Sequence, residues 1–446
     1  MVLETGHDKG RLWEQAMAPF VRFSQVESSG GLLLVASAVI ALVWANSSLA
    51  GSYASLWATP VAIRIGGTTL GLPLGHWIND GLMAVFFFMV GLEIKREILV
   101  GELNSLRQAL LPVVAAIGGM AVPAALYLAI NRETPGQVGW GIPMATDIAF
   151  ALGVLSLLGR RVPPGLKVFL AAVAIVDDIG AVLMIALFYS GDIAFSWLAV
   201  AGGIFGVMLL LNAAGARHPL LYALCGFGLW LAFLGSGIHA TVAGVLAAMA
   251  VPARPRIPSG DFADRARRSL DRFEAVPGRD IRVEPEKLAA LYDMKKAGLL
   301  ATAPLQRIEH ALHPSVAYGV MPLFALANAG VNLSGSAGAS LGEPIALGVL
   351  LGLVVGKQVG VFLTCCAMFG LGFSKLPAGT RLVQFYGVSC LAGIGFTMSM
   401  FMVALAFAGQ SAFEAQAKVA ILAASTLAGG LGYVVLRLTT PAPARE

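Results

Sequence analysis

Pro143-Met144-Ala145-Thr146-Asp147-Ile148 lies near the middle of an apolar run over residues 139–158. A proline there withholds a backbone donor and crowds the preceding turn, so a helix through this run breaks. The break frees carbonyls beside a hydroxyl and a carboxylate. Unwound backbone at membrane depth is tolerated only where it is buried in protein or lines a cavity. Later, Gly393-Ile394-Gly395-Phe396-Thr397-Met398-Ser399 puts two glycines near the middle of another apolar run, 381–408. Glycine weakens a helix interior, so this run is interrupted at a depth like that of Pro143.

Ten further apolar runs surround these two: 29–48, 78–99, 108–130, 166–189, 193–213, 218–235, 238–252, 314–332, 343–369 and 414–436. Roughly 20 apolar residues make one helical crossing, so the chain is expected to be an all-α membrane protein of twelve spans. The broken runs are then spans four and eleven. Composition agrees: 57% of residues are hydrophobic and 12% charged, against about 25% charged in soluble domains. The 53 glycines suit close helix packing in lipid. Residues 1–436 read as a single polytopic domain and 437–446 as a tail. Residues 1–28 are mixed polar, and the first apolar run is too long for a cleavable signal. Cys225, Cys365, Cys366 and Cys390 lie in apolar stretches without metal-ligand spacing and read as small core residues. No cofactor is implied.

An even number of spans puts both termini on one side. Loops on that side hold most of the Lys and Arg, whereas the opposite loops hold only Arg64 and Arg132. The termini are therefore expected in the cytoplasm. The net charge of +5 thus reflects membrane orientation and not a nucleic-acid partner. Spans four and eleven are seven apart and run in opposite directions. That suggests inverted repeats, spans three to five answering ten to twelve. Paired breaks of this kind point to the ion site of a secondary transporter.

Two loops stand out. Val61-Ala62-Ile63-Arg64-Ile65-Gly66-Gly67-Thr68-Thr69-Leu70 is a β-branched run around Gly-Gly, a β-hairpin at about 60–75 outside the membrane. Its edge either pairs with a second copy or stays self-contained. The cytoplasmic loop at about 253–313 carries twelve basic and nine acidic residues. Its Pro- and Arg-rich start reads as flexible, and Pro304–Leu312 as a short helix leading into span nine.

An ionisable residue at mid-bilayer costs on the order of 3 kcal/mol. Asp177 and Asp178 are adjacent near the middle of span five, pointing about 100° apart, and both cannot easily ionise without a cation. Asp147 follows the Pro143 break and reads as either an ion ligand or a carboxylate on a helix end. Lys357, in span ten, lies within a run of Gly348, Gly352, Gly356 and Gly360 at four-residue spacing, a stripe that lets another helix approach closely. A buried ammonium needs a partner, and the aspartates of spans four and five are available. Glu93, Arg96 and Glu97 close span two on the cytoplasmic side, and Glu309, His310 and His313 lead into span nine. These groups read equally as a titrating cluster and as a solvated face. Asp80, at the outer end of span two, reads as an exit-path group or a helix-end carboxylate. His239 reads as an interfacial histidine at an outer turn.

Taken in order, several strings resemble the NhaA sodium/proton antiporters, one of the inverted-repeat families behind the rule of paired breaks. They are Ile78-Asn79-Asp80, Gly91-Leu92-Glu93-Ile94-Lys95-Arg96-Glu97, Ala145-Thr146-Asp147-Ile148-Ala149-Phe150, Val176-Asp177-Asp178-Ile179-Gly180-Ala181, Ser236-Gly237-Ile238-His239-Ala240-Thr241, Glu309-His310-Ala311-Leu312-His313-Pro314, Gly356-Lys357 and Gly393–Ser399. The resemblance covers most of the chain. It implies twelve helices with interrupted helices four and eleven, and a homodimer through the outer hairpin in a bacterial inner membrane. It implies electrogenic exchange of Na+ or Li+ for H+. It implies Asp177 and Asp178 as the ion- and proton-binding pair for transported Na+, with Asp147 and Thr146 nearby. Lys357 would partner Asp177 or the interrupted helices, which hold Pro143, Gly393, Gly395 and Thr397. Glu93, Arg96, Glu97, Glu309, His310, His313 and His239 would take part in pH sensing. The cytoplasmic loop departs from the family by its length.

The expected mechanism is alternating access, with protons and Na+ competing for the same carboxylate oxygens. A sodium-coupled solute symporter shares interrupted helices and remains the alternative. An intramembrane aspartyl protease fits less well, because its two carboxylates come from separate helices. A channel lacks support from any charge ring.

Overall fold

The structure is a computed structural model that describes residues 29–65, 68–276, 285–333, 341–376 and 379–440. The polar N-terminal segment, the Gly66-Gly67 turn and the end of the tail lie outside the described residues. Helix α1 (Ser29–Ala45) turns by 113° into α2 (Ala50–Ala58). Strands β1 (Pro60–Ile65) and β2 (Thr68–Pro73) follow, and a turn of π-helix at Trp77–Leu82 enters α3 (Met83–Val100). Next come α4 (Leu106–Ile130), a 3-10 helix at Pro135–Met144 and α5 (Ile148–Leu157). Helices α6 (Pro164–Phe188), α7 (Phe195–Ala213), α8 (Pro219–Ser236) and α9 (Val242–Ala250) come next. Helices α10 (Ser259–Ala275), α11 (Pro285–Ala301) and α12 (Pro304–Ser315) precede α13 (Met321–Asn328). The remaining helices are α14 (Pro344–Leu351), α15 (Lys357–Gly370), α16 (Leu382–Ala392), α17 (Phe396–Ala406) and α18 (Ser411–Thr439).

Among the described residues, seven helical segments are long and apolar enough to cross a membrane: α4, α6, α7, α8, Pro344–Gly370, Leu382–Ala406 and α18. Counting the bent pairs α1–α2 and Pro135–Leu157 as single spans raises this to nine. Three of the twelve expected runs fall short for visible reasons. Helix α3 carries Glu93, Lys95, Arg96 and Glu97, α9 has only 9 residues, and 314–332 passes through a π turn at Val316–Val320. The molecule is therefore a multi-pass helical membrane protein with a small two-stranded sheet.

The hairpin forms as its β-branched run suggests. The strands are antiparallel, from Pro60 opposite Pro73 to Ile65 opposite Thr68. Trp77 Nε1 donates to the Val61 carbonyl at 3.0 Å, tying the hairpin to the start of the α3 span. Helix α2 falls in what reads as loop. Tyr53 holds it, donating to the Leu326 carbonyl at 2.8 Å with its ring edge-on to Trp44 and Trp57.

The long segment before α12 holds more structure than its composition suggests. Helix α12 covers the expected 304–312, but α10 and α11 are additional helices. Phe262, Ala266, Leu270 and Phe273 recur on α10 at three- and four-residue spacing. The pair is joined by Arg272 to Asp293 at 2.8 Å and by the Lys287 ammonium over the Phe273 ring at 5.7 Å.

Two apolar cores share α3. Phe86, Phe87, Val90 and Ile94 belong to the large core built with α4, α6 and α17. Ala84 and Leu92 face a second core made by α7, α8 and α9. The glycine stripe of Pro344–Gly370 lies against α4. A Cβ at Gly356 would come within 2.7 Å of Pro123 Cα, and one at Gly360 within 2.8 Å of the Gly118 carbonyl carbon. This backbone cannot yield without separating the helices, and overpacking of that kind costs about 1–3 kcal/mol. Gly360→Ala is expected to lower the melting temperature in detergent by several degrees. Gly370→Ala, which meets nothing within 4 Å, is expected to leave it unchanged.

Candidate functional site

The chain leaves helical geometry at Ala145-Thr146-Asp147 and at Ile394-Gly395. Pro143 and the glycines at 136, 139 and 141 favour a tight 3-10 helix up to Met144. Beyond the break Asp147 restarts a helix as its N-cap, accepting from Phe150 N at 2.9 Å. Gly393 and Gly395 separate α16 from α17 in the same way.

The two breaks touch. Asp147 N donates to the Ile394 carbonyl at 2.7 Å. Thr146 Oγ1 is in contact with the Ala392 carbonyl at 2.9 Å and Ser399 Oγ donates to the Ile142 carbonyl at 2.8 Å. The second Asp147 oxygen accepts from Thr397 N at 3.0 Å and from Thr397 Oγ1 at 2.5 Å. One carboxylate therefore serves the N-termini of both α5 and α17, where helix dipoles favour a negative charge. At the opposite side of the first break, where the 3-10 helix ends, Lys357 Nζ donates to the Met144 carbonyl.

Lys357 also pairs with Asp177 Oδ2 at 2.6 Å. Thr146 Oγ1 donates to that same oxygen at 2.6 Å. Lys357 thus meets both of the partners that the sequence left open, while Asp147 is held elsewhere. These groups are closed off from solvent: Lys357 and Thr146 are 0% exposed, Asp147 and Asp177 1%, and Asp178 2%. Two atoms stand out. Asp177 Oδ1 and Asp178 Oδ1 are buried without a hydrogen-bond partner. An unsatisfied buried polar atom costs about 1–3 kcal/mol, so each marks a place where a ligand or proton is favoured.

Other candidates fall into two separate groups. Arg96 bonds Glu309 at 2.5 Å and Glu97 at 3.1 Å. His313 acts on Glu309 electrostatically, and burial, opposed by Arg96, raises the Glu309 carboxyl above its ordinary value. Glu93 lies within electrostatic reach of both Glu309 and Asp178, which links this cluster to the core. His310 is exposed and apart from these bonds. On the other side of the bundle, Asp80 pairs with His76 at 2.8 Å, and His239 feels both. His76 was not among the sequence candidates, although its place four residues before Asp80 on one helix was a signal for it. The Met144, Ala392 and Ile394 carbonyls were also missed as individuals, since only the tertiary contact selects them.

Among the described residues, no three His, Cys, Asp or Glu side chains gather as a resident metal site. Residues 21–436 match the family described as Na+/H+ antiporter 1. The chain is 53% identical over 427 residues to the Na(+)/H(+) antiporter NhaA of Oleidesulfovibrio alaskensis, covering 95% of each chain. It is 48% identical to the protein of that name from Sulfurimonas denitrificans, over 96% of this chain and 97% of the relative. For the one from Koribacter versatilis the identity is 47%, over 95% and 92%. With the broken backbone and its buried charges all inside the matched region, the chain belongs to the Na+/H+ antiporter 1 family.

Proposed function

We propose that this family member exchanges Na+ or Li+ for H+ electrogenically at Asp177 and Asp178, with protons and cation competing for the same oxygens. The observation that carries this is the pair of unpartnered oxygens, Asp177 Oδ1 and Asp178 Oδ1. Three carboxylates, Asp147, Asp177 and Asp178, share a dry site with a single ammonium, Lys357. Fully ionised, the site carries excess negative charge in a low-dielectric setting, which is costly. A proton or a small hard cation removes that excess. Carboxylate oxygens with nearby threonine and freed carbonyls suit a hard ion.

The roles divide by contact. Asp178 is the principal proton and cation carrier, because no donor engages its buried oxygen. Asp177 shares the load and is held by Lys357 and Thr146. Asp147 stabilises the two helix N-termini and lies beside the path. Lys357 keeps the empty site from accumulating charge, and it lets go of Asp177 only when that carboxylate is otherwise neutralised.

The wider arrangement follows the same reading. Twelve crossings in a bacterial inner membrane, the fourth and eleventh interrupted within inverted repeats, place both termini and residues 253–313 in the cytoplasm. Helix α3, short α9 and 314–332 supply the three crossings that length and composition alone leave out. The open edge of the hairpin joins two copies in a homodimer. Asp80 lines the outer path, with His239 beside it. Glu93, Arg96, Glu97, Glu309, His310 and His313 sense pH at the cytoplasmic mouth. The site faces each side alternately as one core rocks against the other, with α3 between them.

Three outcomes test this. Asp178→Asn in proteoliposomes is expected to abolish Na+-dependent proton movement, and normal exchange there would remove Asp178 from its role. Lys357→Gln alone leaves Asp177 buried without its partner, a loss of about 3–5 kcal/mol. Thermal melting should therefore fall sharply in that variant and recover in part when Asp177→Asn is added. For the mouth, the sign follows from burial. The Glu309 carboxyl is raised, so it stays protonated to higher pH than a free carboxyl and gains charge as pH rises. Glu309→Gln withholds that charge permanently, which eases ionisation of the neighbouring acids. The activity–pH curve should then shift to lower pH by about half a unit.

A further inference from the structure

Away from the carboxylate site, a cavity of about 480 Å³ opens between the start of α8 and the α11–α12 junction. Arg217 and His218 line it from the α7–α8 turn, Arg256 from the strand of chain before α10, Lys296 from α11 and Arg307 from α12. No aspartate or glutamate lines it. Among the described residues, none of the four permanent cations has a carboxylate within salt-bridge distance. By contrast, Arg96 and Arg272 are paired with acids.

The backbone adds to the same field. His218 is the N-cap of α8, which has 18 residues, and Ala303 that of α12, which has 12. His218 lines the cavity as the α8 N-cap, and Pro304 lines it as the first residue of α12, so both helix starts, where the dipole is positive, lie at its wall. Two helix C-termini also lie nearby, and carbonyls of both are engaged: at the end of α7 the Leu210, Leu211 and Asn212 carbonyls accept from Ala214 N, Ala216 N and Gly215 N, and the end of α11 is bonded as well. The Leu300 carbonyl accepts from Arg256 N at 2.8 Å and from Ile257 N at 3.3 Å. A guanidinium nitrogen of Arg217 donates to the Arg254 carbonyl, which orients the side chain without neutralising it. Half-buried Arg217 and Arg307 form the inner wall, and exposed Arg256 and Lys296 form the rim.

Four like charges from four different chain segments repel one another unless an anion sits between them. Forked guanidinium donors match phosphate oxygens, and the volume suits a small organic ligand. Leu221 and Leu299 supply apolar surface beside the charges. We propose that this cavity is a binding site for a phosphate-bearing anion, held by Arg217, Arg256, Lys296 and Arg307 on the side of the protein that carries the 253–313 segment. Because Arg256, Lys296, Leu299 and Leu300 of the 253–313 segment line it together with Arg217 and Leu221 of the bundle, an occupant ties that segment to the membrane bundle and stiffens it.

Two sources share this chemistry, a soluble phosphate compound and an anionic lipid headgroup. The full-length protein in phosphatidylcholine nanodiscs is melted with sodium tripolyphosphate or with sodium chloride at the same ionic strength. In a second arm, phosphatidylglycerol replaces part of the phosphatidylcholine. At least one arm is expected to raise the melting temperature by about 3 °C or more. Arg256→Gln/Lys296→Gln should lose most of that gain, and so should Arg307→Gln from a different element. The charge-matched control Arg107→Gln/Lys375→Gln, at exposed residues outside the cavity, should keep it. A gain with tripolyphosphate assigns the site to a free phosphate compound, and a gain confined to phosphatidylglycerol assigns it to a headgroup. The proposal is overturned if neither arm stabilises the wild type, or if the cavity variants respond as fully as the control.

Discussion

A helix that breaks inside a bilayer exposes amide and carbonyl groups where no water can reach them. In this protein the chain leaves helical geometry at Ala145–Asp147 and at Ile394–Gly395, and the two stretches satisfy each other. The Asp147 amide bonds the Ile394 carbonyl, and the Asp147 carboxylate caps α5 while also bonding the first turn of α17. Lys357 takes the Met144 carbonyl at the opposite end. An acid at the helix starts and a base at a helix stop is the arrangement that helix dipoles favour. Removing either charge would leave backbone ends as well as a side chain unsatisfied.

The same need explains why Lys357 sits where it does. Its helix can come close to α4 only because the Gly356 and Gly360 positions meet Pro123 and the Gly118 backbone directly. That close approach carries the ammonium to the break and to Asp177. Packing and electrostatics are thus one design here: a methyl group in the stripe would displace the charge as well as the helix. Once Lys357 and Thr146 have taken Asp177 Oδ2, the Oδ1 oxygens of the two adjacent aspartates are buried without a donor. They are the part of the network that the protein's own donors leave open.

Helix α3 connects this centre to the surface. It packs into both apolar cores, and its last turns carry Glu93, Lys95, Arg96 and Glu97. Lys95 donates to the Met249 and Val251 carbonyls at 2.6 and 2.5 Å, which satisfies the C-terminal end of α9. Arg96 reaches Glu309 on α12. A change of charge at this junction therefore acts on α9, α12 and the carboxylate core at once. The basic cavity lies one helix further out, where α12 meets α11 and α8.

Breaks and charges were legible in the sequence because lipid penalises both. Proline at 143, glycines at 393 and 395, and acids at 147, 177 and 178 stand out against an apolar background that has no other reason to hold them. The hairpin was legible too, since β-branched alternation around Gly-Gly is a local signal. Helices α10 and α11 were not, because charged amphipathic helices look like solvated loop until a partner helix covers one face. Sequence alone determined that the acids at 147, 177 and 178 and the lysine at 357 lie in apolar runs, with Pro143 and the glycines at 393 and 395 in two of those runs. Which acid Lys357 holds, which carboxylate caps the breaks and which oxygens stay free were decided only by the tertiary structure. Those choices depend on helix approach over a few ångströms, and no residue on its own specifies that distance.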